Sequence, residues 1–199
     1  RTGLWPAPRF SKNRARKAPG QAVDWRFCVR PVLNASLLLC LVIGIADGDT
    51  LTARCGQPGS YEQIKVRLGA IDAPERQQPF SQQSRQKLSS LAFGKQVGLD
   101  CPRKDRYGRH VCTVMVPPAG APDDRPVVDA GLVMVRSGMA WWYRGYAREQ
   151  APETRARYAA AEREAQTRRL GLWADPDPTP PWAWRKTNRA AKASTADPA

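Results

Sequence analysis

Histidine is all but missing from this chain. His110 is alone among 199 residues, and none of the five cysteines has CxxC spacing. That excludes the usual zinc sites, which need three or four Cys or His ligands at close spacing. No apolar run approaches the roughly 20 residues of a membrane-spanning helix; the clearest, Leu37–Ile45, has nine. No segment repeats another. Acid is also scarce. Eighteen Asp and Glu face 32 Lys and Arg, giving a net charge of +14 and a pI near 10.2. Such a surplus favours a polyanionic partner, either nucleic acid or an anionic membrane surface.

The charge is uneven. Residues 1–36 carry eight Lys or Arg against one acid, half of the whole excess. With Pro, Ala and Gly and no apolar period, they read as a disordered basic arm. The whole chain is 42% apolar, and residues 37–175 are long enough for one packed core. Residues 176–199, rich in Pro and containing Trp182 and Trp184, read as a disordered basic tail.

Within 37–175, Leu39–Ile45 reads as a buried first strand leading into an acidic turn. A short apolar run behind a basic stretch is also the pattern of a signal peptide, so an exported or cell-envelope location stays open beside it. Thr50–Cys55 continues as a second strand. Ile64, Val66 and Leu68 alternate with Lys65 and Arg67, a strand with one buried face that leaves Arg67 on the other. Ser81–Phe93 has helical spacing closed by Gly94. Val97–Cys101 and Val111–Val116 read as a strand pair around a turn at Asp105–Gly108. Val127–Ser137 is a second helix, and Met139–Tyr146 a short aromatic strand or extended segment. Pro152 opens a third helix that Gly171 closes, with Glu164 and Arg168 at i,i+4 spacing. Short strands that must cover their edges, with helices between and after them, predict an α+β fold: a five-stranded barrel of the oligonucleotide-binding (OB) type with three α-helices. Cys101 and Cys112 flank the hairpin loop. A cross-strand disulfide and two reduced thiols are both compatible with that spacing.

The chemistry concentrates in three strings. Asp47-Gly48-Asp49 is common hairpin chemistry by itself. Together with Asp72, it offers three carboxylates, which suit a hard cation, Ca²⁺ or Mg²⁺. Glu75 follows Asp72 across Pro74, a placement that could hold a general base beside a coordinated water. Standing alone it would read as a surface glutamate at a helix start. Arg67 and Arg109 are fixed, permanently charged forks suited to a phosphate. Asp105 and Arg106 read as solvated loop residues. Trp141, Trp142, Tyr143 and Tyr146 could stack bases, although at least two of them are expected in the core.

Taken in order, Asp-Gly-Asp-Thr at 47–50, Arg-x₄-Asp-x-Pro-Glu at 67–75 and Asp-x-Tyr-Gly-Arg at 105–109 resemble the staphylococcal nuclease (thermonuclease) family, across roughly Leu39 to Trp173. The resemblance implies the five-stranded barrel with three helices. It implies Ca²⁺ bound by Asp49, Asp72 and the carbonyl of Ala73, with Asp47 close by. The staphylococcal enzyme has threonine where Ala73 stands, a change that a carbonyl ligand tolerates. Arg67 and Arg109 would clamp the scissile phosphate, Glu75 would activate water, and Tyr107 would stand near the nucleotide. The implied activity is Ca²⁺-dependent hydrolysis of DNA and RNA, leaving 3′-phosphates. No protein partner is implied, and the chain is expected to act as a monomer. The alternative is a non-catalytic nucleic-acid-binding barrel of the same fold.

Overall fold

Period-two alternation of apolar residues builds five long strands, and their order closes them on one another. In the computed structural model, which describes residues 37–120 and 125–195, β1 (Leu38–Ile45), β2 (Thr50–Gln57) and β3 (Ser60–Leu68) form a meander. A two-residue strand, β4 (Ile71–Asp72), follows, and then α1 (Ser81–Ala92). The hairpin β5 (Gln96–Lys104) and β6 (His110–Val116) pairs with β1 on one side. On the other side β6 runs parallel to β3, with Val66 opposite His110 and Leu68 opposite Cys112. The result is the closed, mixed five-stranded barrel of an OB-type α+β fold, and among the described residues it leaves no long sheet edge open. The basic arm expected at 1–36 lies outside the described residues.

Alternate residues fill the barrel. Leu51, Ala53, Ile64, Val66, Leu68, Val97, Leu99, Val114 and Val116 are buried. β1 differs from the expected buried strand. Cys40 and Val42 are buried, while Leu38 and Leu39 are each 49% exposed. A barrel strand presents only every second side chain inward, which puts Leu39 outside; Leu38 shares the parity of Cys40 and Val42 and is exposed as the first residue of the strand.

β7 (Val128–Asp129) pairs with β6, and this delays α2 to Ala130–Arg136, three residues later than its sequence pattern. Asp129 caps α2 by accepting from the Leu132 amide at 3.2 Å, and it also accepts from the Tyr158 hydroxyl of α3 (Pro152–Thr167) at 2.9 Å. Burial raises the Asp129 carboxyl above its usual range, and the Leu132 amide and Tyr158 hydroxyl offset this only in part. Gly138 closes α2 with φ of 66°, but α3 ends earlier than expected: Arg169 takes the left-handed position after it, with φ of 50°, and Gly171, φ 54°, opens the short turn that follows. A Cβ on Gly138 would strike the Leu170 carbonyl and one on Gly171 the Gly138 carbonyl, so glycine at both positions lets the two turns pack directly together. The short strand β8 (Trp141–Trp142) pairs with β4.

Among the described residues, two disulfides cross neighbouring strands. Cys101–Cys112 joins β5 to β6, so the disulfide alternative holds for that pair. Cys40–Cys55, which sequence spacing did not single out, joins β1 to β2 where those residues face each other in register.

The tail departs from expectation. Residues 176–199 were expected to be disordered, yet Pro181–Thr195 forms a fourth helix, α4. Proline is tolerated in a first helical turn, and alanines at 183 and 190 favour the helix. Packing supplies the rest. Trp182 lies edge-on to Trp141 at 6.4 Å and tilted against Tyr143 at 5.7 Å, and Gln78 Nε2 donates to the Thr179 carbonyl at 2.9 Å.

Candidate functional site

The turn between β1 and β2 is built by its own acids. Asp47 Oδ1 accepts from the Asp49 amide at 3.1 Å. A Cβ on Gly48 would overlap Ser84 of α1 and Ala73, so only glycine lets this turn seat so closely. Asp49 is 4% exposed. Its Oδ1 accepts from the Thr50 hydroxyl at 2.9 Å, and its Oδ2 from the Ala73 amide at 2.8 Å. That last bond ties the turn to the segment after β4. Burial, then the neighbouring charge of Asp49, pushes the Asp47 carboxyl up to about 6.

Arg67 stands on the face of β3 turned away from the barrel core, as alternation predicts. Its Nη1 pairs with Asp49 Oδ1, and its Nη2 lies 2.8 Å from Asp72 Oδ1. Asp72 is 1% exposed. Two buried carboxylates, one from the β1–β2 turn and one from β4, therefore converge on one guanidinium. Burial alone would lower the pKa of Arg67; the charges of Asp49 and Asp72 outweigh it and hold it above its ordinary value.

Glu75 follows Pro74, and its amide donates to Gln78 Oε1 at 2.8 Å. Its carboxylate meets a residue that sequence reasoning missed. Arg185 of α4 places Nη1 2.7 Å from Glu75 Oε1 and Nη2 2.7 Å from Asp72 Oδ2. Burial opposes the charge of Arg185, but its bonds to Asp72 and Glu75 more than offset that and raise its pKa. Nothing local marks Arg185, because it lies 110 residues from Glu75 and only docking of α4 brings the two together.

The β5–β6 turn presents Arg109. Asp105, expected to be a solvated loop residue, organises this turn. Its carboxylate accepts from the Tyr107 amide at 2.9 Å, the Arg109 amide at 3.0 Å and Arg109 Nε at 2.8 Å. Its modest burial raises its pKa, but the hydrogen bonds from Arg109 and Tyr107 win and hold it low. The Asp-x-Tyr-Gly-Arg spacing carried that signal, since Asp commonly bonds the backbone two residues on. Tyr107 is 68% exposed, with Arg106 and Arg109 against its ring.

All eight residues singled out from sequence — Asp47, Asp49, Arg67, Asp72, Ala73, Glu75, Tyr107 and Arg109 — line one cleft of about 1020 Å³. The aromatic cluster divides. Trp141 and Trp142 are buried, while Tyr143 and Tyr146 reach the cleft. Asp49 and Asp72 offer oxygen donors only, around a point already filled by positive charge, and that chemistry suits a hard divalent cation. Among the described residues, no three His, Cys, Asp or Glu side chains gather at one point. An ion held there would complete its shell with carbonyl oxygen and water, as Mg²⁺ and Ca²⁺ commonly do. Opposed acids and guanidinium forks in one open cleft can bind and polarise a phosphodiester.

Comparison with known proteins gives one consistent result. The family described as "Staphylococcal nuclease homologue" matches residues 65–175. The chain is similar to "Micrococcal nuclease" of Shigella flexneri, 37% identical over 150 residues, covering 75% of this chain and 82% of that one. It is similar to "Uncharacterized endonuclease" of Haemophilus influenzae, 39% identical over 150 residues, covering 75% and 74%. It is also similar to "Protein ParB" of Escherichia coli, 38% identical over 145 residues, covering 73% and 77%.

Proposed function

The chain belongs to the staphylococcal nuclease family, and on that premise we propose that it is a Ca²⁺-dependent nuclease. It hydrolyses phosphodiester bonds of DNA and RNA, acting as a monomer and leaving 3′-phosphates. The observation that carries this reading is the gathering of all eight predicted residues in one cleft, with Asp49 and Asp72 converging. The nuclease and endonuclease relatives support it further.

Asp49, Asp72 and the Ala73 carbonyl would hold the ion. Bound there, Ca²⁺ supplies positive charge for the oxygens that become more negative at the transition state. Arg67 and Arg109 come from different parts of the barrel and can take separate oxygens of one phosphate, since each guanidinium donates in a fixed fork. Glu75 accepts the proton of a water as its oxygen attacks phosphorus in line. The bond from phosphorus to the 5′ oxygen breaks, and that oxygen takes up a proton from solvent in the open cleft. Asp105 holds Arg109 in place throughout.

The test is to incubate supercoiled DNA and single-stranded RNA with Ca²⁺, with Mg²⁺ and with chelator. Cleavage is expected with Ca²⁺ and none with chelator, and Glu75→Gln should lower turnover about 10²- to 10⁴-fold. Absence of cleavage under every condition would leave the non-catalytic nucleic-acid-binding barrel as the better reading.

A further inference from the structure

Helix α4 lies beyond the family match at residues 65–175, yet it supplies part of the cleft wall. Trp184, Arg185, Asn188 and Arg189 line the cleft, and positions 184, 188 and 185, 189 share one helical face. Over Pro181–Thr195 the sequence has four Lys or Arg and no acid. Docking alone is met by Trp182 against Trp141 and Tyr143. It does not require a second arginine, one turn on, over the same cleft. Arg189 Nε donates to the Arg185 carbonyl at 3.2 Å, so Arg189 belongs to the same side of the helix.

Arg185 now spans Asp72 and Glu75, and a phosphodiester offers the same paired oxygens to the same fork. The exchange costs little. Asp72 keeps Arg67 at 2.8 Å when Arg185 leaves, and Glu75 is itself partly solvated, with 39% of its side chain exposed. Arg185 is 40% exposed, so its ion pairs are of the weak, water-screened kind.

We propose that α4 is a second substrate-binding element, a basic wall on which Arg185 and Arg189 grip the phosphate backbone of the strand lying across Asp72 and Glu75. The proposal rests on the nuclease reading and adds the contact surface that seats the strand. Exposed arginines that neutralise phosphates act through counterion release, so each should leave a signature in the salt dependence of binding.

The test uses the full chain with chelator present and a fluorescently labelled single-stranded oligodeoxynucleotide. Binding is followed by anisotropy over a range of KCl. Arg185→Gln and Arg189→Gln should each weaken binding about tenfold at low salt. Each should reduce the slope of log K against log[salt] by about 0.7, and the pair by about twice that. Arg185→Lys should restore the slope, because it restores the charge. With Ca²⁺ present, KM for the same strand should rise in both glutamine variants. Arg136→Gln is the control, since Arg136 is exposed on α2 and pairs with Glu164. It should leave the slope unchanged.

Unaltered affinity, slope and KM in both α4 variants, in a chain that still cleaves with Ca²⁺, overturns this proposal and leaves the nuclease reading intact. Tighter binding by Arg185→Gln also overturns it, because Arg185 would then be a plug that excludes the strand. A wild-type chain that neither binds nor cleaves overturns both.

Discussion

Arg67→Ala probes the link between burial and charge on which the site is built. Asp49 and Asp72 are 4% and 1% exposed, and both place an oxygen on the Arg67 guanidinium. Removing one partner of a buried ion pair typically costs about 3–5 kcal/mol, because the remaining charge is left uncompensated. Other contacts soften the loss here. Asp72 keeps Arg185 at 2.7 Å, and Asp49 keeps the Thr50 hydroxyl and the Ala73 amide. The low end therefore applies, about 3 kcal/mol. A domain of this size loses about 3 °C of Tm per kcal/mol, so a drop of about 9 °C is expected. The assay is thermal unfolding at neutral pH with chelator, run on wild type, Arg67→Ala, Asp49→Asn and the double variant. Asp49→Asn keeps the shape and removes the charge. Most of the loss caused by Arg67→Ala should therefore vanish when Asp49 is already asparagine. A Tm for Arg67→Ala within about 2 °C of wild type, or additive effects in the double variant, would refute the reasoning.

Asp105→Ala removes the three bonds that hold the β5–β6 turn and Arg109. Its kcat/KM should fall about 10- to 100-fold with little change in folding, and Asp105→Asn, which can still accept from both amides, should fall less; steady-state kinetics of the two variants decides this. Cys40→Ser with Cys55→Ser opens a cross-strand link of sequence separation 15. Chain-entropy reasoning puts the loss at about 3 kcal/mol, and denaturant melts should show it. An equally stable serine pair would count against that link. Asp129 contributes one component of the pH dependence of stability. Burial raises its pKa in the folded state above the unfolded value of about 3.9. The folded state thus binds its proton more tightly, and wild type loses stability as pH rises from below that value through the folded one. Asp129→Asn retains acceptors for the Leu132 amide and the Tyr158 hydroxyl. Its stability relative to wild type should grow from pH 4 to 7 in urea melts, and the opposite trend would contradict the assignment.

Local pattern was enough to read much of the barrel. Alternation at Ile64, Val66 and Leu68 located β3 and set Arg67 on its outer face, because successive strand residues point to opposite sides. Pro152 marked the start of α3. The limits were equally physical. α2 begins late because Val128 and Asp129 take ladder bonds from β6, and a propensity argument cannot register that partner. Leu38 and Leu39 look as apolar as the buried members of β1, yet both are exposed, since hydrophobicity does not say which neighbour covers a residue.

What the sequence by itself determined was the chemical inventory: three strings of acids and arginines with a fixed order and spacing, the turns that hold them, and a basic balance suited to a polyanion. Those follow from residue type and from periods of two and 3.6, which are local. Tertiary structure alone decided how the inventory is wired. It set Asp49 and Asp72 on one guanidinium, made Asp105 the anchor of Arg109, and paired Cys40 with Cys55. It also folded the tail into α4 and brought Arg185 onto Asp72 and Glu75. Each of these contacts joins residues by burial and charge across space, where separation along the chain carries no information.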